Sequence, residues 1–455
     1  MSAVTAERSS AASRTIPTKI TAPARIETAK PKRRWPSSLA ALEVRNYRLY
    51  LSSQVVATTG LWMQRIAQDW LVLELSGSVT AVGFAVMLQF APVLIFGLFG
   101  GVIADRYSKR TILMITQSVA MLMATTLGVL ALTGTVQVWH VYLIAMTLGF
   151  VTVVDNPTRQ VFVSELVGSS HIRNAVSLNS SVFQLGALLG PALSGLLIHA
   201  VGQGWSFLIN AAACSLVVVI VGIIRPTASK VNKAAHQAKG QLKEGLTYIK
   251  NTSEVAWTIV LVAVIGLFGL NMPVILAAFA DVEFKAGVSG YSMFNSLSAI
   301  GALAGALISA RRKESLRLRS LVTSLTLLGA ILMVASMAPS EFLFGAVLIG
   351  VGLMTLLFLT GANSLVQMTS LPAVRGRVMS VYLLVLLGGQ AIGSPAVGWL
   401  IDHFGARPSL FLCGGLVAVV AMVSGLGMAR QSRLTLSLDL RREHGRAPLH
   451  IVRGS

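Results

Sequence analysis

The sequence predicts an all-α membrane protein in which twelve transmembrane helices form two pseudo-symmetric bundles of six helices each. Hydrophobic residues make up 54% of the 455 residues, and charged residues only 12%. Apolar runs of about 20 residues recur along the chain, and each is long enough to cross a hydrocarbon core of roughly 30 Å. Because these runs are continuous rather than alternating, they favour helices over the strands of a membrane barrel.

Charge placement predicts the orientation of these helices. The twelve predicted helices occupy residues 47–75, 78–100, 109–133, 138–162, 172–200, 204–224, 254–281, 287–310, 317–338, 341–365, 374–402 and 407–429. Lysine and arginine lie almost entirely in the two tails and in alternate loops, which predicts a multi-pass protein of the plasma membrane with both termini cytoplasmic. Topology therefore explains the net charge of +20, and no basic groove with interleaved aromatics indicates nucleic-acid binding.

A long basic loop divides the chain into two halves. The predicted segments are a disordered basic N-terminal tail (1–45), an N-terminal bundle (46–224), a cytoplasmic linker (225–253), a C-terminal bundle (254–429) and a cytoplasmic C-terminal tail (430–455). Within the linker, Leu242, Leu246 and Ile249 have helical spacing. This spacing predicts an amphipathic helix on the inner leaflet, with a solvated linker as the alternative.

The two halves repeat each other. Residues 190–199 read GPALSGLLIH, and residues 394–403 read SPAVGWLIDH. Two parallel six-helix repeats predict a pseudo-two-fold axis along the membrane normal, with a cavity between the halves.

The stretch from Gly101 to Arg110, GVIADRYSKR, places an acid and three bases between two apolar spans. It predicts a very short cytoplasmic turn. Together with the twelve spans, the central loop and the repeat, this stretch resembles the major facilitator superfamily. The signature of that family between its second and third helices is Gly-x-x-x-Asp-Arg-x-Gly-Arg/Lys-Arg/Lys. The matching positions are Gly101, Asp105, Arg106, Ser108, Lys109 and Arg110, with Ser108 in place of the usual glycine. The second-half copy has Ser309 in place of the acid.

Further motifs resemble the enterobactin-exporter and macrolide-efflux branch of that superfamily. They are Asn46-Tyr-Arg-Leu-Tyr, Trp62-Met-Gln-Arg, Trp70-Leu-Val-Leu-Glu-Leu and Asp155-Asn-Pro-Thr-Arg-Gln. The resemblance implies a major facilitator fold over about residues 45–430, and it names no substrate.

The resemblance also implies a cytoplasmic gate. Gly101 would let the second helix end close to its neighbours, and Asp105 would face the N-terminus of the eleventh helix near residues 373–377. Arg106 or Lys109 would pair with an acid at the end of the fourth helix. The predicted gate residues are Gly101, Asp105, Arg106, Lys109, Arg110, Asp155, Arg159 and Glu165.

Charged residues within the spans need a partner or a function, because a charge at bilayer depth costs at least about 2.5–3.5 kcal/mol. In the first span, polar residues at helical spacing end with Arg65 and Asp69, four residues apart. In the functional interpretation Asp69 titrates protons, while Arg65 tunes the pKa of Asp69 or holds an anionic substrate. The alternative is a self-neutralised structural pair.

The fourth span repeats this spacing with Asp155 and Arg159. A role in the cytoplasmic gate, a role in proton coupling and a purely structural pair are the three interpretations of this second pair.

Neutral polar and aromatic residues predict a weakly polar, amphiphilic pocket that suits a bulky, partly apolar compound. The residues expected to line it are Gln54, Thr58, Trp62, Gln89, Asn179, Phe183, Gln184, Asn271, Asn295 and Gln390. Taken singly, each could instead form a hydrogen bond between helices.

No enzyme signature competes with transport. The chain has no phosphate-binding loop of the ATPase type, no nucleophile–histidine constellation and no clustered metal ligands, so neither a cofactor nor a metal is expected. Cys214 and Cys413 lie inside apolar runs and are interpreted as small core residues.

The sequence therefore predicts a secondary active transporter that works by alternating access as a monomer in the lipid bilayer. Its small-molecule substrate would be a drug, a toxic metabolite or a siderophore, exported in exchange for protons, the expected coupling ion. The alternatives are a nutrient importer or facilitator, a phospholipid flippase, and a membrane scaffold without transport.

Overall fold

The computed structural model describes residues 36–168, 170–224, 241–311, 318–372, 374–431, 434–438 and 449–453. Most of the predicted N-terminal tail, most of the predicted linker and much of the predicted C-terminal tail lie outside these residues. Within them the expected helical membrane fold is confirmed.

Eleven of the twelve predicted spans each correspond to one α-helix, and the seventh corresponds to α8, α9 and two π-helical turns. A 3-10 helix, Ser37–Glu43, precedes α1 (Arg45–Ser76), α2 (Val79–Arg106), α3 (Lys109–Leu132), α4 (Val138–Val167), α5 (Ile172–Val201) and α6 (Gly204–Ile223). The second half comprises α7 (Gln241–Asn251), α8 (Ser253–Val264), α9 (Met272–Ala278), α10 (Gly287–Arg311), α11 (Leu318–Ser336), α12 (Glu341–Thr369), α13 (Arg375–Phe404) and α14 (Ala406–Gln431).

The seventh span is interrupted, although its sequence predicts one continuous helix over 254–281. The helix α8 runs into a π-helical turn, Ile265–Gly269, and α9 into another, Phe279–Glu283. Pro273 lies in the first turn of the new helix, which suits it because it has no N–H to donate to the preceding turn. Asn271 stands at the break, where its side-chain amide donates to the carbonyl of Leu267. This side-chain bond replaces part of the lost backbone bonding.

Eleven spans in the described part of the chain are long and apolar enough to cross a membrane. The twelfth is α1, which has 32 residues and is therefore also long enough. Its charged and amide side chains make it less apolar than the others, and it packs against α5 and α6. Its polar face is enclosed by these neighbours, while Val55 and Val56 remain exposed.

Equivalent helices pack alike in the two halves. The helix α5 lies against α1, as α13 lies against the seventh span. A Cβ atom at Gly190 would overlap the side chain of Trp62, and one at Gly393 would overlap the carbonyl of Leu267. The glycine-rich repeat in the sequence therefore serves close helix approach in both halves.

Two antiparallel helix pairs join the halves, namely α2 with α13 and α5 with α10. We call the end of the bundle where α1 begins the near end, and the end where α1 finishes the far end. Gly83 and Gly195 lie in the far-end parts of these pairs. A Cβ at Gly83 would overlap the backbone of Ser394, and one at Gly195 would overlap Ser292. The halves are thus closely packed towards the far end.

Two segments lie outside the main bundle. The helix α7 confirms the helical spacing in the linker, and it packs on α13, where Gly245 approaches the backbone of Arg377. Tyr248 of α7 also donates a 3.1 Å hydrogen bond to the carbonyl of Thr369. Beyond α14, strands β1 (Leu434–Leu438) and β2 (Leu449–Arg453) form an antiparallel pair that the sequence analysis did not predict.

Several helices extend past their predicted ends, α2 and α4 the furthest. The helix α2 reaches Arg106 rather than residue 100, and α4 reaches Val167 rather than residue 162. The predicted ten-residue turn is therefore mostly helix, and only Tyr107 and Ser108 separate α2 from α3. Ser108 has φ −61°, a conformation that needs no glycine, so serine replaces the family's glycine without strain.

Candidate functional site

A buried carboxylate on α1 is hydrogen-bonded to the other half of the protein. Asp69 is 7% exposed, and its Oδ2 atom accepts a 3.0 Å hydrogen bond from the hydroxyl of Tyr291 on α10. The Tyr291 ring is fully buried and stacks on Trp70, with the ring centroids 6.0 Å apart. A protonatable group thus lies in the contact between the halves, and its hydrogen bonding depends on how they are arranged.

Sequence reasoning found Asp69 and missed Tyr291. The tyrosine is an isolated aromatic residue near the start of α10, and no spacing relates it to α1. The only cue in the sequence is a phenolic hydroxyl within an apolar span, since such a group needs a hydrogen-bond partner when it is buried.

Arg65 and Asp69 form no direct ion pair, although their charges, one turn apart on α1, still interact electrostatically. The described residues contain no ion pair of Arg65, and its Nε atom is buried without a hydrogen-bond partner among them. The guanidinium carbon lies 5.1 Å from the centroid of the Trp62 ring. Trp62 in turn meets the ring of Phe183 on α5 edge to face, at 5.6 Å.

Asp155 and Arg159 form a close ion pair on α4. The Nη2 and Nε atoms of Arg159 lie 2.7 and 3.0 Å from Asp155 Oδ2. The other carboxylate oxygen accepts from the Thr116 hydroxyl at 2.8 Å and from the Gln117 amide at 3.1 Å. Both oxygens of this buried carboxylate are therefore satisfied.

The same network extends to α1. Arg159 also donates to the side-chain oxygens of Gln54 and Tyr50. Every member lies on α1, α3 or α4, so the network joins three helices of the first half. Thr116, Gln117 and Tyr50 were not predicted, because they belong to other helices and their distance along the chain hides the contact.

The charged residues of the motif between α2 and α3 make different contacts from those that the family resemblance implies. Asp105 and Arg106 are exposed, and neither forms a hydrogen bond or an ion pair with any described residue. Lys109 is buried but makes no ion pair with Asp155 or with Glu165 in this structure. The predicted near-end contacts are therefore not formed in this arrangement of the halves.

Arg110 and the glycines of α2 take structural roles in this arrangement. Arg110 donates to the carbonyls of Val221 and Gly222, which lie at the C-terminal end of α6. The close helix approach expected of Gly101 occurs at Gly100 instead. A Cβ atom at Gly100 would overlap the carbonyl of Val153 on α4, whereas one at Gly101 would meet nothing within 4 Å.

At the far end, the carboxylate of Asp402 on α13 caps the N-terminus of α2. It accepts from the backbone N–H groups of Val79 and Thr80 and from the hydroxyls of Ser78 and Thr80. A helix N-terminus has free N–H donors and a positive partial charge, which favour an anion. This contact joins the two halves at the end opposite the charged motif.

The predicted cavity residues of the second half form hydrogen bonds to other groups of the protein. Gln390 donates to the carbonyl of Leu270 at 3.2 Å, and Asn295 to the carbonyl of Tyr291 at 2.8 Å. Asn271 accepts from Ser394 at 2.7 Å. Gln390 and Asn271 therefore follow the alternative interpretation of a hydrogen bond between helices, whereas the bond of Asn295 lies within α10.

The predicted cavity residues of the first half are more available. Gln54 belongs to the Arg159 network, and Asn179 accepts a 3.4 Å hydrogen bond from Tyr47. Thr58, Gln89 and Gln184 are partly exposed and make no hydrogen bond to any described side chain or backbone group. These three can still meet a ligand.

A cavity of about 530 Å³ lies between α10, α12 and α13. Its wall includes Ser309, Thr360, Asn363, Ser364 and Tyr382, none of which was predicted to line a cavity. Ser309, which replaces the acid in the second-half copy of the motif, donates a 3.0 Å hydrogen bond to Thr360. Leucine and alanine side chains complete the wall, so polar and apolar groups both line this space.

The described residues contain no group of three or more histidine, cysteine or acidic side chains that could hold a metal ion. Cys214 and Cys413 are both buried free thiols.

The fold and its paired halves define a multi-pass membrane transporter of the major facilitator class. The family model described as "Transmembrane secretion effector" matches residues 36–437, and the chain belongs to that family. Relatives of known name confirm the resemblance to the enterobactin-exporter branch.

The chain is 26% identical to the staphyloferrin A transporter of Staphylococcus aureus, over 67% of this chain and 73% of the relative. It is 25% identical to the multidrug efflux pump Tap of Mycolicibacterium fortuitum, over 86% of this chain and 97% of that protein. It is 23% identical to the enterobactin exporter EntS of Escherichia coli, over 81% and 88%.

Solved structures show the same fold. A bacterial homologue of the human lysosomal transporter Spinster matches 84% of this chain and 96% of its own, with a TM-score of 0.68 at 14% identity. The chain is therefore a membrane transporter rather than an enzyme.

Proposed function

We propose that this transporter exports small amphiphilic compounds, such as drugs, toxic metabolites or siderophores, in exchange for protons. The observation that carries the proposal is the buried Asp69 carboxylate, which accepts a hydrogen bond from Tyr291 across the contact between the halves. Protonation changes the charge and the hydrogen bonding of this carboxylate, and so ties a proton to the arrangement of the halves. Relatives named as a multidrug efflux pump and an enterobactin exporter support export.

The proposal assigns the near end to the cytoplasm and the far end to the outside. The basic tails and loops support this orientation, because lysine and arginine are retained on the cytoplasmic side. With that assignment the structure corresponds to an inward-open state. Asp402 holds α2 and α13 together on the outside, while on the inside Asp105 has no partner among the described residues.

The transport cycle then alternates between two sets of contacts, with the bundles 46–224 and 254–429 moving as units within one monomer. When the far end opens, the Asp69–Tyr291 and Asp402 contacts are lost. When the near end closes, the predicted gate residues Gly101, Asp105, Arg106, Lys109 and Glu165 come within reach of partners. In this scheme the Asp155–Arg159 network keeps α1, α3 and α4 together as they move.

Proton coupling can be tested in proteoliposomes that contain the purified protein. A panel of labelled amphiphilic compounds, including ethidium and an iron-free siderophore, identifies a transported member, and an imposed pH gradient then drives its accumulation. We expect Asp69→Asn to abolish pH-driven accumulation while retaining exchange of the labelled compound at equal pH. Glu74→Gln is the matched control, because Glu74 is an exposed acid on the same helix and accepts from Gln203 within the same half.

Proton coupling is contradicted if the transport rate of the wild type does not depend on the pH gradient. It is also contradicted if the Asp69→Asn variant accumulates the compound as the wild type does. The direction is tested separately. Inside-out vesicles should accumulate the compound from the cytoplasmic face, and accumulation only in right-side-out vesicles would identify an importer.

A further inference from the structure

Arg65 is a cation inside the bundle that forms no direct ion pair within the described part of the chain, although the charge of Asp69 is close enough to interact with it electrostatically. Its Nε atom is buried without an acceptor, and it takes part in no ion pair there. Asp69, one turn further along α1, accepts from Tyr291 instead. A guanidinium has only hydrogen-bond donors, so Arg65 needs an acceptor that these residues do not provide.

Trp62, three residues before Arg65 on α1, also lacks a hydrogen-bond acceptor among the described residues. Its indole Nε1 atom is buried without an acceptor, and its ring lies beneath the Arg65 guanidinium carbon, 5.1 Å from it. Two N–H donors without partners are therefore three residues apart on one face of α1. Leaving a single buried donor unpaired is unfavourable, and two adjacent ones indicate a place for an external acceptor.

An aromatic wall adjoins these donors and is accessible. Phe183 meets Trp62 edge to face and is 46% exposed. On α5 the exposed leucines at 185, 189, 193 and 196 follow helical spacing and share one face. Phe183 is two residues from Leu185, which places it on the opposite side of the helix, away from that leucine face. Arg65 and Trp62 also keep part of their surface accessible.

We infer that Arg65, Trp62 and Phe183 form a subsite for an organic anion, namely a carboxylate or phenolate attached to a flat ring. The guanidinium and the indole N–H bind the charged oxygens, and the ring lies against the two aromatic side chains. The inference rests on the proposed export of small amphiphilic compounds and narrows that class to anionic aromatic ones. A purely cationic substrate would instead meet the repulsion of Arg65.

The test is equilibrium binding of two matched probes, 1-naphthoate and its neutral amide 1-naphthamide, measured by calorimetry on the full-length protein in detergent micelles. The rings are the same, so the difference in affinity reports recognition of the anion. We expect the wild type to bind the naphthoate about tenfold more tightly than the amide, the range of a charge-assisted hydrogen bond. Arg65→Gln should remove this preference.

Two further variants separate recognition from folding. Trp62→Phe keeps a ring and removes the N–H, and it should lower naphthoate affinity about threefold to tenfold with little change for the amide. Lys285→Gln is the control for general electrostatics, since Lys285 is exposed at the far end, and it should leave the preference unchanged.

Equal binding of the two probes by the wild type would overturn the subsite, as would an anion preference that persists in both Arg65→Gln and Trp62→Phe. These outcomes differ from a failure of the proposed export. If naphthoate is preferred but no pH gradient drives transport, proton coupling alone fails. If pH-driven transport occurs without an anion preference, only the subsite fails.

Discussion

Thr80 at the start of α2 donates both its backbone N–H, at 2.9 Å, and its hydroxyl, at 2.6 Å, to the carboxylate of Asp402 on α13. Val79 and Ser78 add donors at 3.0 and 2.7 Å. One side chain of the second half thus satisfies the start of a helix in the first half. Because α2 and α13 are antiparallel, Asp105 at the other end of α2 stands in the reciprocal position to the start of α13.

Asp402→Asn should favour opening of the far end. The amide keeps the size of the carboxylate but loses its charge and one acceptor oxygen, and hydrogen bonds to charged groups contribute about 1.5–3 kcal/mol. Losing about 1.5 kcal/mol shifts the equilibrium between closed and open far ends by roughly tenfold. Spin labels at Trp139→Cys and Phe342→Cys, both exposed at the far end, should report a larger population of long distances.

The labelling needs a background without Cys214 and Cys413, both of which are buried. Glu283→Gln is the matched control, because Glu283 pairs with Arg407 in the same half at the same end. A distance distribution that shifts equally in both variants would show that Asp402 has no special part in closing the far end.

The Tyr291→Phe substitution should weaken the binding of anions indirectly, because Tyr291 is not part of the proposed subsite. Removing the hydroxyl frees Asp69 to turn towards Arg65, one turn away on the same helix, where it competes with an anionic ligand for the guanidinium. We expect the affinity for 1-naphthoate to fall about fivefold to tenfold while the affinity for 1-naphthamide stays constant. Calorimetry on the purified variant measures both, and an unchanged naphthoate affinity would contradict the competition.

The sequence predicts the spans well because hydrophobic runs of the right length determine where helices can cross a membrane. It predicts Asp69 and Asp155 as important for a similar local reason, since a charge inside an apolar run is conspicuous. The partner of Asp69 could not be predicted, because Tyr291 is more than 200 residues away and only packing of α1 on α10 brings them together. Contacts between halves also depend on the conformational state, which a sequence does not specify.

The family resemblance identified the charged motif, but it could not indicate whether the contacts of the motif are formed in this conformational state. It placed Asp105 opposite the start of α13, and in this structure Asp105 has no partner within the described residues. The positions at which the helices end could likewise not be predicted from the hydropathy pattern. The polar residues from Asp105 to Arg106 continue α2 because backbone hydrogen bonding persists after the apolar run has ended.

Asp155→Asn and Asp105→Asn should have opposite effects on stability and on transport. The first substitution removes the charged acceptor of the partly exposed Arg159 from a buried network, and a hydrogen bond to a charged group contributes about 1.5–3 kcal/mol. The second changes an exposed residue that has no partner in the part of the chain that the structure describes. We expect Asp155→Asn to lower the thermal unfolding temperature in detergent markedly, and Asp105→Asn to leave it unchanged.

The transport rate per folded molecule should instead be affected more by Asp105→Asn than by Asp155→Asn. Asp105→Asn should reduce the transport rate severely, because the proposed closed near end needs this carboxylate at the start of α13. Membrane insertion and expression should remain normal. Full transport by Asp105→Asn would remove Asp105 from the gate, and an unaltered unfolding temperature in Asp155→Asn would contradict a structural role for the α4 pair.

Gly100→Ala and Gly101→Ala form a matched pair that tests how α2 approaches α4. The two glycines are adjacent, but only Gly100 faces the neighbouring backbone, where an added methyl group would overlap the carbonyl of Val153. Backbone cannot move aside as a flexible side chain can, so we expect Gly100→Ala to cost about 1–3 kcal/mol, the range for overpacking. Gly101→Ala meets open space and should match or slightly exceed the wild type, since alanine favours a helix more than glycine does. Thermal unfolding of the two variants in detergent decides between this arrangement and one in which the motif's own glycine makes the contact, which would reverse their order.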